Sequence, residues 1–121
     1  MTCVLVVDDS PQIRRMVRMT VERRGLRVIE AGDGSAAWRL LADERPDLVI
    51  LDVMMPGPSG LDVCRAIRAD PALGGVPVVI LTADGLADTE ADARSAGASA
   101  FMAKPFLPSA LRALVESLVA G

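Results

Sequence analysis

The chain has 121 residues, of which 51% are hydrophobic, and a formal net charge of -3. That length fits one compact domain, residues 1–121, and leaves no room for a second of ordinary size. The acidic balance gives no general attraction to nucleic acid, the lack of histidine excludes Cys/His zinc sites, and no apolar run approaches the roughly 20 residues that cross a bilayer.

Taken in chain order, strand-like and helix-like segments alternate, the pattern of βαβ units around a parallel sheet. The run Val4-Leu5-Val6-Val7 reads as a buried strand and ends on Asp8-Asp9. Met1 to Val7 lacks the basic start and cleavage site of a signal peptide, and Cys3 and Cys64 form no disulfide framework, so a soluble cytoplasmic protein with free thiols is expected. Ser10 as N-cap and Pro11 in the first turn open a helix with Ile13, Met16, Val17, Thr20 and Val21 on one face, ended by Gly25. A strand over Leu26–Glu30 leads through Gly32-Asp33-Gly34 to a helix carrying Ala37, Trp38, Leu40 and Leu41, closed by Pro46, with Trp38 covering the sheet beside Leu41.

The second buried run, Leu48-Val49-Ile50-Leu51, ends on Asp52. A stiff loop, Met55-Pro56-Gly57-Pro58-Ser59-Gly60, precedes a helix with Leu61, Cys64 and Ile67 at helical spacing. Val76–Leu81 is the next strand and runs into Thr82; Leu86–Ala96 is a helix whose apolar face is only Leu86 and alanines. Ala100–Ala103 is the last strand, followed by Lys104-Pro105 and an amphipathic helix marked by Leu111, Leu114, Val115 and Leu118.

In parallel α/β sheets the site lies beyond the carboxyl ends of the strands. If the first and third strands are neighbours, Asp8, Asp9 and Asp52 crowd together, and carboxylates that close must raise a pKa or recruit a cation. Lys104 is the only lysine beside twelve arginines, a compact point charge at a third strand end. A single strand-end aspartate is more often a cap or turn former, but three with one lysine form a set that could neutralise a phosphoryl group. The arginines of the first helix, Arg14, Arg15, Arg18, Arg23 and Arg24, read as a solvated face, the alternative being a docking surface for an acidic partner helix.

These residues carry a resemblance. Val7-Asp8-Asp9, Leu51-Asp52-Val53-Met54-Met55-Pro56-Gly57 with Gly60, Leu81-Thr82-Ala83 and Lys104-Pro105-Phe106 are together similar, in the right order, to the receiver domain of two-component response regulators. The resemblance implies a flavodoxin-like, doubly wound α/β fold with a five-stranded parallel sheet, strand order 2-1-3-4-5. It implies Asp52 as phosphoacceptor; Asp9, Asp52 and the Met54 carbonyl as Mg²⁺ ligands, with Asp8 acting through water; Lys104 and Thr82 as phosphoryl partners; and Phe101 as an aromatic that moves with Thr82. A cis Lys104-Pro105 bond is implied too, and Met54 and Asp84 fall where the family tunes phosphate lifetime. The implied partners are a sensor histidine kinase or histidine phosphotransfer protein and a downstream protein target, or an output domain lying outside this chain.

Two other classes fit parts of the pattern. A Mg²⁺-dependent phosphohydrolase of the haloacid dehalogenase type also uses a strand-end aspartate, but carries a second one two residues on, where this chain has Met54. A flavin or nucleotide binder on the same fold needs a small polar phosphate loop after the first strand, where Asp8-Asp9-Ser10-Pro11 would repel phosphate.

Overall fold

Ten elements alternate without exception along the described chain: β1 (Cys3–Val7), α1 (Pro11–Glu22), β2 (Arg27–Ala31), α2 (Gly34–Glu44), β3 (Leu48–Asp52), α3 (Gly60–Ala69), β4 (Val78–Thr82), α4 (Ala87–Ser95), β5 (Ala100–Ala103) and α5 (Pro108–Ala120). They come from a computed structural model that describes residues 2–22, 25–55, 57–83 and 87–120. Arg23, Arg24, Pro56, Asp84 and Leu86, each named above from the sequence, lie outside the described residues.

The strands form one parallel sheet in the order β2-β1-β3-β4-β5. Its three central strands are buried along their whole length, which is why they read as continuous apolar runs rather than alternating ones. Alternate residues feed two cores. Leu5, Val7, Val49, Leu51, Val78 and Ile80 pack with Leu41 of α2 and Val63, Cys64 and Ile67 of α3. Val4, Val6, Leu48, Ile50, Val79 and Leu81 pack with Val17 and Val21 of α1 and Leu111 and Val115 of α5. The sheet is therefore doubly wound, with the strand order expected.

Local chemistry sets the element ends. Ser10 Oγ accepts from Ile13 N, and Asp33 caps α2 by accepting from Ala36 N. Arg45, in the left-handed region at φ 46°, ends α2 just before Pro46. Ser59 and Asp62 form a reciprocal capping box at the start of α3.

Three expectations shift. β2 begins at Arg27, whose amide donates to Thr2 O, and extends to Ala31. β4 begins at Val78 because Val76 N turns back to Leu73 O, Arg68 Nη1 takes the Val76 carbonyl at 2.6 Å, and Pro77 has no N–H to give. Trp38 does not cover the sheet. It is 41% exposed and lines an α2–α3 groove of about 430 Å³ with Pro58, Val63 and Ala66, while Ala37 and Leu41 take the sheet-facing positions.

Candidate functional site

The strand order reverses direction between β1 and β3, so the loops leaving these two strands diverge and open a crevice at their carboxyl ends. Val7 pairs with Leu51, which sets the next residues, Asp8 and Asp52, side by side at the floor of that crevice. Asp8 and Asp52 are buried and Asp9 is exposed at the rim; the three carboxylates each offer an oxygen within 4.8 Å of the others. Thr82 closes β4, fully buried, and Lys104 follows β5 with its amide donating to Thr82 O at 2.7 Å. The Lys104-Pro105 peptide is cis.

Lys104 reaches back across the sheet. Its Nζ stands 2.7 Å from Asp8 Oδ2 and 3.2 Å from Asp52 Oδ1, tying β5 to both acid-bearing strands. The other Asp8 oxygen accepts from Ser10 N at 2.9 Å. Burial and the neighbouring Asp8 charge push the Asp52 carboxyl above the usual carboxylate range, against the opposing pull of Lys104. Burial would lower the Lys104 ammonium, but its hydrogen bond and charge pairing with Asp8, then Asp52, outweigh that and leave it raised. The ammonium is thus held charged between the two buried acids.

Three carboxylates facing one ammonium leave a net negative pocket of hard oxygen donors, the donor chemistry of a divalent cation such as Mg²⁺ or Ca²⁺ rather than of a softer metal. Such a cation would offset the repulsion that this pocket presents to an anionic group.

The outlying candidates sit as follows. Met54 is 72% exposed beside the crevice, a loop residue rather than a core one, whereas Met55 packs on the core. Phe101 pairs with Ile80 and so shares a sheet face with Thr82, two residues further along β4, while packing partly buried on the α2–α3 side. Of the first-helix arginines, Arg15 is exposed as a solvated face requires, but Arg14 and Arg18 are engaged. Arg14 Nε and Arg18 Nε grip the two oxygens of Glu30 at 3.0 and 2.6 Å, and Arg14 Nη1 donates to the carbonyl oxygen of Asp8 at 2.6 Å. Sequence reading missed that contact, since Glu30 lies 16 residues from Arg14 and no helical spacing links them. The nearest signal was an arginine on the first helix and an acid one residue before the end of the neighbouring strand.

A model of the response regulator receiver domain matches residues 4–116. The DNA-binding response regulator MtrA of Mycolicibacterium smegmatis is 41% identical over 114 residues, which cover 94% of this chain and 49% of that protein. The phosphate regulon transcriptional regulatory protein PhoB of Pseudomonas aeruginosa is 34% identical over 116 residues, 96% of this chain and 51% of that protein. The chain thus spans about half the length of these curated relatives. Among solved structures, the chemotaxis protein CheY4 of Vibrio cholerae superposes with a TM-score of 0.91 at 32% identity, covering 98% of both chains. A putative response regulator from Chloroflexus aurantiacus reaches a TM-score of 0.94 at 31% identity, covering 99% of this chain and 98% of that one.

Proposed function

The chain belongs to the response regulator receiver domain family, the phosphorylation-activated switches of two-component signalling, and from that premise we propose that Asp52 is its phosphoacceptor. One observation carries the assignment: Asp52 ends β3 at the floor of the crevice, with Lys104 Nζ 3.2 Å away and Asp8 and Asp9 beside it. The phosphohydrolase reading lacks its second aspartate, since Met54 stands two residues after Asp52, and the flavin reading would set a phosphate against Asp8-Asp9.

In the proposed step an oxygen of the Asp52 carboxylate attacks phosphorus, the P–N bond to a phosphohistidine breaks, and the imidazole leaves with the bonding pair. The donor is a sensor histidine kinase or a histidine phosphotransfer protein. Asp8, Asp9, Asp52 and the Met54 carbonyl would hold Mg²⁺, which supplies neutralisation of the phosphoryl oxygens when bound. Lys104 turns from Asp8 and Asp52 toward a phosphoryl oxygen, and the Thr82 hydroxyl donates to another. Attack of water on the same phosphorus later releases phosphate and resets the switch. Phe101 moves with Thr82 and passes the change to a docking surface, read by a downstream protein or an attached output domain. We read residues 1–121 as one receiver domain with no nucleic-acid contact of its own, and its free, buried Cys3 and Cys64 suit the cytoplasm.

The test is chemical mapping. After incubation with acetyl phosphate and Mg²⁺, borohydride reduces an aspartyl phosphate to homoserine. The expected peptide carries homoserine at position 52; homoserine at 8 or 9 instead would overturn the assignment.

A further inference from the structure

Arg14 is bound to the acidic cluster through the backbone. Asp8 lies one residue past the β1 ladder, where the sheet no longer fixes both sides of its peptide. Its amide still donates to Ala31 O at 3.1 Å, and its carbonyl oxygen accepts from Arg14 Nη1 at 2.6 Å. The guanidinium is itself held: Nε donates to Glu30 Oε1 at 3.0 Å, while Arg18 takes Glu30 Oε2. Arg14 comes from α1 and Glu30 from β2, so the donor that grips the Asp8–Asp9 peptide is itself anchored to two elements. A charged donor in a rigid fork makes a stronger and more directional bond than a neutral one. The peptide plane that receives it sets where Asp9 leaves the chain, and with it where the rim carboxylate points.

We propose that Arg14 is a positioning residue for the acidic cluster: braced by Glu30, it fixes the Asp8–Asp9 peptide so that the Asp9 carboxylate converges with Asp8 and Asp52 on one cation. The inference rests on the metal-binding reading above. It predicts an effect opposite in sign to simple electrostatics. A cation beside three carboxylates competes with a divalent ion, so on charge alone removing Arg14 would tighten Mg²⁺ and Arg14→Lys would leave binding unchanged. Positioning requires both variants to bind more weakly, because lysine's single point donor cannot serve Glu30 and the Asp8 carbonyl in one fork geometry.

Calorimetric titration of Mg²⁺ into the unphosphorylated chain decides it, with melting temperature in chelator measured alongside to separate folding from site geometry. Outer residues that orient ligands are worth about tenfold in metal affinity at the lower end, and about that weakening is expected for Arg14→Met, with less for Arg14→Lys. If Arg14→Met does not fold, Arg14→Lys alone decides. Mg²⁺ binding as tight as the parent's in the folded variants overturns the proposal. A parent that binds no better than Asp9→Ala overturns instead the metal reading on which it stands.

Discussion

Gly60 and Asp52 meet backbone to backbone. A β-carbon on Gly60 would collide with the Asp52 carbonyl oxygen and lie 2.8 Å from its carbonyl carbon and 3.1 Å from Val53 Cα, while Gly60 N donates to Val53 O. The first turn of α3 is thus seated directly against the strand end that carries the proposed phosphoacceptor. Neither partner is a flexible side chain, so neither can yield. Gly60→Ala is expected to destabilise by about 3 kcal/mol. Gly75→Ala, with nothing within 4 Å of its β-carbon position, should stay within about 0.5 kcal/mol of the parent. Urea denaturation of the two variants checks this; coincident midpoints would contradict the close contact.

The Arg14–Glu30–Arg18 clamp gives a pH dependence of known sign. Burial alone pushes the Glu30 carboxyl up, but hydrogen bonds and charge from Arg18 and Arg14 outweigh it and hold the group below the usual range. A lowered pKa means that the clamp stabilises the fold above the ordinary glutamate pKa and that this contribution fades as pH falls through the lowered value. Glu30→Gln should cost about 1 kcal/mol at pH 7, with the gap closing in acid. Melts across pH 3 to 7 measure it, and a gap that widens in acid would refute the clamp.

Asp52 has the opposite sign. Burial and Asp8 raise its pKa, so its ionisation costs stability: the cost is absent below the ordinary aspartate pKa and grows as pH rises through the folded value. In chelator at pH 7, Asp52→Asn is expected to melt higher than the parent, and Mg²⁺ should raise the parent while moving Asp9→Ala far less. An Asp9→Ala melt that rises with Mg²⁺ as much as the parent's would rule out the cation site.

What the sequence made legible follows from the sheet. Central parallel strands are buried on both faces, so β1 and β3 stand out as apolar runs, and the acids ending them are placed as soon as the strands are known. Pairings between distant elements have no such period. Arg68 donates to the carbonyls of Gly97, Gly74 and Val76, and that capture, with Pro77, moved the start of β4 in a way no local pattern encodes. The grip of Arg14 on Asp8 was hidden for the same reason. Trp38 misled because an aromatic next to Leu41 reads as core, whereas helical geometry gives the sheet to Ala37 and Leu41 and turns Trp38 to the α2–α3 groove.

The output face should be α4 and β5 rather than α1. Among its described side chains, α4 buries only Ala93, whereas α1 buries Val17, Thr20 and Val21 and is braced by Glu30. A weakly held element moves under a modest bias. Amide chemical shifts with and without a beryllofluoride phosphate mimic should change most, beyond the site itself, at Ala87 to Ala103. Large shifts confined to Ile13 to Val21 would place the output elsewhere.

Intact mass after incubation with acetyl phosphate and Mg²⁺ tests the central claim most directly. The parent should gain one phosphoryl group, chelator should abolish the gain, and Asp52→Asn, folded by its melt, should gain none. An Asp52→Asn chain phosphorylated as fast as the parent would contradict the account.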